Sequence, residues 1–393
     1  MKKLLIALLV LCLGCVVLVG CLGAGDNQTA QEEAPAQETT AAETGDAVPE
    51  MTGGVDYDAI YALHEPDEVV LTVDGKEVIW EDYYYVYYNQ ATRLESQFQQ
   101  YQAYGYAMGW ESQADDEGHS YAELMGDAAE QNLRRVMTVE AVAEEEQIQL
   151  DNSDPDVQEE HQANIQGFCG EGGTEEQLFE TIGAMHLRPE LYWRLIKVNL
   201  LSHLVYDKCY GEEGEMLDDQ QVMDWMEENE LLSADHILIS IQGLSEEEAA
   251  EKKELAEQLA AELLAIEDQE ERLARFQELK EEHNEDPGAA DGYVFGPGVM
   301  VQAFFDGTAA LEVGQISEPV ESEFGYHIIL RRALSPEDKV TSSTGAQTAR
   351  VMAASELFSK RMQDKLDSQK VEYAAGFEAP KILDYYTKPE YTA

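Results

Sequence analysis

At 393 residues the chain has room for two or three domains and a sizeable core, which rules out a peptide or a lone module. Its 80 Asp and Glu stand against 25 Lys and Arg, a formal net charge of −55. That charge repels nucleic acid and anionic lipid surfaces, while it favours solubility and partners that are basic, unfolded or cation-bearing.

The first residues, MKKLLIALLVLCLGCVVLVGC, set two lysines ahead of a short apolar run. This is the pattern of a secretory signal rather than a spanning helix. The Leu18-Val19-Gly20-Cys21 ending resembles a bacterial lipobox, which implies lipidation at Cys21, with Cys15 as the weaker alternative. Residues 1–20 are then a lipoprotein signal peptide, and loss of Lys2 and Lys3 with it takes the formal charge from −55 to −57. Residues 21–55 are rich in Ala, Glu, Thr, Gln and Gly and cannot bury enough surface to fold, so they are expected to form a disordered tether. No later segment is apolar for long enough to span a bilayer. Past Cys21 only Cys169 and Cys209 remain, read as two buried thiols with a disulfide as the alternative.

Residues 56–232 read as a mostly helical region. It opens on EVVLTVDGKEVI, where the Asp74-Gly75 turn between alternating runs predicts a hairpin. A helix follows, with Tyr84, Tyr87, Ala91, Leu94, Phe98 and Tyr101 on one face, either a core stripe or a surface for unfolded chains. Helices are expected over 121–148 and 155–166, after a capping box at Thr174 to Gln177, from Pro189, and over 217–231. The DNSDPD run at 151–156 lacks the glycine and distal glutamate of a calcium loop and is read as a helix start.

From residue 233 the pattern changes. A strand from His236 to Ile241 leads to a capping box at Ser245 to Glu248, a helix to about residue 266, and a second helix with Leu273, Phe276 and Leu279 on one face. HNEDPGAADGYVFGPG, full of turn residues, is expected to be a loop. A short helix, a turn at Gly314 and the closing strand FGYHIILRRAL complete one α+β domain over residues 233–335. Residues 346–370 return to helix, with Val351, Ala354, Phe358 and Met362 in phase, and 371–393 are a short extended end.

The blocks HILI, NEDPG, FGPGVM and ALEVGQISEPVESEFGYHIIL occur in order with the expected gaps, and residues 233–335 resemble a parvulin-type peptidyl-prolyl isomerase domain. TVDGKEV, TEEQLFETIGAMHLRPELYWRLIKVNLL and the last helix resemble the chaperone region of PrsA- and SurA-like extracytoplasmic foldases. The resemblance implies an antiparallel sheet with helices, inserted between segments of a mostly helical chaperone-like domain, with residues 336–393 supplying a helix that packs back on that region. It places His236 and His327 side by side on neighbouring strands, linked through one shared proton, with Asp286 as the third polar position. Met300 and Phe304 are to grip the proline ring, with Tyr293 or Phe295 covering the side where the family has leucine. Three places before His327, where some relatives carry a hydroxyl, stands Phe324.

Amide rotation faces a barrier of about 18–20 kcal/mol and breaks no full bond, so neither cofactor nor metal is called for. His64, His119, His161 and His186 show no cysteine or carboxylate at ligand spacing, and His283 and His203 read as packed or exposed residues. The resemblance implies a membrane-anchored isomerase and foldase on the extracytoplasmic side. Its partners would be unfolded exported chains with X-Pro bonds, the membrane through the lipid alone and no nucleic acid, with a homodimer left open. A holdase that binds such chains with weak turnover is the alternative. A solute-capturing lipoprotein would need a two-lobed α/β pattern, and none is visible in the sequence.

Overall fold

The computed structural model describes residues 51–288, 292–342 and 345–391. The signal peptide, Cys21 and all but the last five residues of the expected tether lie outside them. Two compact units are present. One takes the described residues up to Val205 and again from Met362, and the other is Tyr206–Arg361.

The first unit opens with strand β1 (Met51–Val55), at the end of the span expected to be a tether, and helix α1 (Tyr57–Tyr61). The predicted hairpin follows as β2 (Val69–Val73) and β3 (Lys76–Ile79). Asp74 and Gly75 both take positive φ, 51° and 78°, which matches the twist that a two-residue turn must share with its strands. Helix α2 (Trp80–Ala103) buries Tyr84, Tyr87, Ala91, Leu94 and Phe98, so the aromatic stripe is core along most of its length. Tyr101 at its end is 41 % exposed, beside Tyr104 at 74 % and Tyr106 at 64 %. Buried phenols and indoles here find acceptors: Trp80 Nε1 donates to the Tyr61 carbonyl at 2.8 Å, and Tyr87 Oη to that of Pro380 at 3.1 Å.

Helices α3 (Met125–Glu145), α4 (Pro155–Cys169), α5 (Glu175–Gly183) and α6 (Pro189–Tyr210) follow. The box at Thr174 and Gln177 caps α5 as its sequence predicts. In the DNSDPD run, Asp154 Oδ2 and Asp151 Oδ1 turn inward to accept from the backbone N–H groups of Asp151 and Ser153, at 2.6 and 2.7 Å, which closes the start of α4. Asp82, buried on α2, holds Arg188 through two bonds of 2.6 and 2.9 Å.

The second unit starts with α7 (Asp219–Glu228), then β4 (Leu232–Ser240), α8 (Glu246–Leu264) and α9 (Gln269–His283). Next come β5 (Tyr293–Phe295), α10 (Gln302–Ala309), β6 (Val320–Ser322), β7 (Gly325–Arg332), β8 (Lys339–Ser342), β9 (Gly345–Thr348) and α11 (Ala349–Ser368). The six strands run in the order β6-β7-β4-β5-β8-β9. Every pairing is antiparallel except β5 with β8, which meet in parallel at Val294 and Val340. Within residues 233–335 the strands pair only antiparallel, as expected, and the parallel contact comes from β8, beyond that span. Strand β5 corrects the expected loop: three residues of the turn-rich run pair with β4, too few to carry a periodic signal.

Strand β4 is buried on both faces, so its sequence is nearly continuous in apolar residues. Ile237, Ile239, Tyr326, Ile328 and Leu330 pack on α8 and α9, while Ala234, Ile329, Phe295 and Phe304 form a second cluster on the other side. Around these, Trp225 and Met226 of α7, Val340 of β8 and Ala353 of α11 form a third cluster.

After Arg361 the chain returns to the first unit. Strand β10 (Val371–Tyr373) pairs with β2, Ile382 joins the aromatic core, and β11 (Tyr386–Tyr391) pairs with β1. The second unit is thus inserted between two segments of the first.

Candidate active site

The register of β4 and β7 sets Leu238 opposite His327 and His236 opposite Ile329. The two histidines are therefore diagonal neighbours on one face, their ring centroids 5.3 Å apart at 63°. Strand alternation does this, and the same alternation sends Ile237 and Ile328 to the helix-covered face. Helix α10 brings Phe304 edge-on to both rings, at 5.0 Å from His236 and 5.2 Å from His327. It reaches that close because of Gly307, where an added Cβ would stand 2.9 Å from Val320 Cγ2. Met300 is half-buried and packs against the same cluster. Phe295 is fully buried, 5.5 Å from Phe304, so it packs beneath that ring rather than presenting a surface of its own.

Asp286 arrives on the segment after α9, which lies along β4 beyond the end of β5. Glu285 N donates to the Leu238 carbonyl and Asn284 Oδ1 accepts from Leu238 N, both at 2.9 Å. The carboxylate is 21 % exposed, with Oδ2 3.2 Å from His236 Nε2. That is ion-pair distance without the alignment of a hydrogen bond. Oδ1 accepts from Gly288 N at 2.8 Å, and Oδ2 accepts from Tyr293 Oη at 3.0 Å. Tyr293 is half-buried, its ring nearly parallel to that of His236 at 5.9 Å.

The expected shared proton between the histidines is not formed. Among the described residues His236 has no hydrogen-bond partner at either nitrogen, and neither does His327 at Nδ1. His327 Nε2 instead lies 2.7 Å from Ser322 Oγ, which also accepts from Phe324 N at 3.1 Å. The rings meet edge-on at 63°, and no nitrogen of one pairs with a nitrogen of the other. The hydroxyl sought at position 324 is supplied from 322, across the tight β6-β7 hairpin. Ser322 escaped the sequence reading because only that hairpin register brings it to His327.

Burial lowers the His236 pKa, with Asp286 and Asp235 opposing and Lys280 adding to the effect. Burial, followed by the neighbouring His236, brings His327 down to about 4. Burial, reinforced by Asp286, pushes the Tyr293 phenol up to about 12. Near neutral pH the site thus holds two neutral imidazoles and a protonated phenol. On the opposite sheet face Asp235 and Lys280 form a buried ion pair at 2.6 Å, with Gln277 donating to Asp235 at 3.1 Å.

The other histidines stay apart from this site. His64 and His119 do meet carboxylates, Glu68 and Asp115, one helical turn away in sequence, which corrects the expectation that neither had one at ligand spacing. His161 is buried with Nδ1 2.8 Å from Tyr192 Oη, and His283 lies beside Glu282. Among the described residues no three His, Cys, Asp or Glu side chains gather as a metal site. Cys169 and Cys209 are both half-buried and not joined in a disulfide, and Cys209 Sγ accepts from Arg361 Nη1 at 3.1 Å. No helix of the described residues is long and apolar enough to cross a membrane.

Residues 236–333 match the family model for the PPIC-type PPIase domain, or rotamase. Similar proteins include foldase protein PrsA 4 of Bacillus cereus, 53 % identical over 58 residues, 14 % of this chain and 21 % of that protein. Foldase protein PrsA of Oceanobacillus iheyensis is 30 % identical over 217 residues, 53 % of this chain and 61 % of that protein. Chaperone SurA of Chromohalobacter salexigens is 36 % identical over 105 residues, 26 % of this chain and 23 % of that protein. The chain spans less than two thirds of the length of each of these relatives.

Proposed function

We propose that this chain, whose residues 236–333 are a parvulin-type peptidyl-prolyl isomerase domain, is a foldase of the PrsA and SurA kind that turns X-Pro bonds in unfolded polypeptides. The observation that carries the reading is the side-chain cluster itself: two buried neutral imidazoles 5.3 Å apart, Phe304 against both, and Asp286 3.2 Å from His236.

Catalysis here requires better binding of the twisted amide than of either planar form. In the twisted amide the nitrogen lone pair is no longer shared with the carbonyl, so the group is less polar. A desolvated apolar slot therefore suits it better than water does. Met300 and Phe304 grip the proline ring. His236 and His327, neutral because buried, offer hydrogen bonds around the carbonyl without placing a full charge beside it. Asp286 sets the local field, and no covalent intermediate is involved.

The first unit would hold client chains while the second turns their prolines. Tyr101, Tyr104 and Tyr106, exposed together, support that role, since aromatic faces bind sequence-varied chains and an acidic protein attracts basic ones. Export, lipidation at Cys21, a position on the outer face of the membrane and exported proteins as clients belong to the same proposal. It rests on the N-terminal sequence pattern and on the kinship with foldases. Isomerisation of an X-Pro peptide by the whole protein, compared with His327→Ala and Phe304→Ala, tests the activity. Turnover well above the spontaneous rate that both substitutions reduce is expected. Equal rates in all three would leave a holdase.

A further inference from the structure

We infer that Tyr293 is a positioning residue of this isomerase, its phenol holding the Asp286 carboxylate in place against the His236 imidazole. The inference rests on the proposed reading of the slot and adds a residue whose action runs through another.

The geometry is built for that contact. Tyr293 pairs with Ala234, two residues from His236 on the neighbouring strand, so its backbone is registered to the histidine it serves. Gly292 before it takes φ 73°, and a Cβ there would stand 2.7 Å from the Ala234 carbonyl, so the chain enters the strand in a conformation that glycine permits. Gly288 leaves the space into which the phenol reaches, since a Cβ there would stand 2.5 Å from Tyr293 Oη. The hydroxyl thus meets Asp286 Oδ2 at 3.0 Å, the same oxygen that lies 3.2 Å from His236 Nε2. With Oδ1 held by Gly288 N, both carboxylate oxygens are tied and the group cannot swing out to solvent.

The phenol is a donor here, because burial and the adjacent carboxylate keep its proton on. It therefore competes with His236 for the electron density of one oxygen. The groups facing the carboxylate are Tyr293, His236 and His327, while the Asp235 and Lys280 pair acts on His236 from the far side with opposing signs. Removing the hydroxyl frees Oδ2 for His236 and favours the protonated imidazole.

The test is Tyr293→Phe in the whole protein, which keeps the ring on His236 and deletes only the donor. Two quantities are read: kcat/KM on an X-Pro peptide, and the titration of the His236 ring by NMR. We expect kcat/KM to fall by about tenfold, mostly in kcat, the scale of losing a hydrogen bond to a charged group. We also expect the His236 midpoint to move to higher pH. An unmoved midpoint overturns the inference whatever the rate does, because a phenol that acts only by packing would leave it in place. If the wild type shows no isomerisation the proposed function fails, and the His236 titration still decides this point.

Discussion

Ser322 Oγ stands 2.7 Å from His327 Nε2, so the hairpin that delivers the last histidine also orients its ring. The hydroxyl is itself fixed by Phe324 N, which donates to it at 3.1 Å. The hydroxyl can donate to Nε2 or accept from it, and in either case the contact favours one tautomer of the ring over the other.

Ser322→Ala removes that choice of tautomer while keeping the strand. kcat/KM on an X-Pro peptide is expected to fall about five- to tenfold, and the nitrogen shifts of the His327 ring should move toward a mixture of tautomers. Wild-type rate and shifts in this variant would mean that the contact has no catalytic part.

Stability should fall as the solution is acidified through a defined window. His327 titrates at about 4 in the folded protein against about 6.5 when unfolded. A base whose folded pKa is depressed has its full stability above the unfolded value and loses it as pH falls toward the folded one. The loss is expected between about pH 6.5 and 4 and amounts to roughly 3 kcal/mol. Urea unfolding across this range for wild type and His327→Gln isolates it, since the many carboxylates act alike in both. Parallel curves for the two proteins would contradict the assignment.

Phe304 belongs to the core, 3 % exposed and in contact with the two imidazoles and Phe295. Phe304→Ala should cost about 3–5 kcal/mol of unfolding free energy, and Phe304→Leu distinctly less, because the remaining cavity is smaller. Denaturant titration measures both. Isomerisation should fall in the same order.

In the first unit, Asp82 is buried under Arg188 with two short bonds. Asp82→Asn breaks the charge match and strands a guanidinium at a part-buried site, at an expected cost of about 2–4 kcal/mol. Chemical denaturation followed through the Trp80 region gives the value. A change below about 0.5 kcal/mol, the scale of an exposed pair, would show the bond to be incidental.

Local pattern alone was enough for much of the architecture. The Asp74-Gly75 hairpin and the capping boxes at Thr174 and Ser245 are set by interactions within a few residues, so the chain carries their full specification. The common face of His236 and His327 was legible for a related reason: a strand's period of two is a property of backbone geometry. The aromatic stripe of α2 was legible as a stripe, but whether it met core or solvent depended on what covers it. Only the folded structure showed that it is covered as far as Phe98 and open at Tyr101.

What tertiary structure decided is the fine geometry of the slot. The two-residue stagger of the histidines, the serine at His327 and the phenol on Asp286 each join groups from separate segments, and no local period records such contacts. The parallel meeting of β5 with β8 was hidden for the same reason, since a strand of three residues is held by its neighbours rather than by its own sequence. The sequence determined which residues face one another across a strand pair or along a helix, because those choices are made by nearby backbone. Distances of a few tenths of an ångström at the site were left to the packing of α10, the β6-β7 hairpin and the segment after α9, which only the closed fold brings to one place.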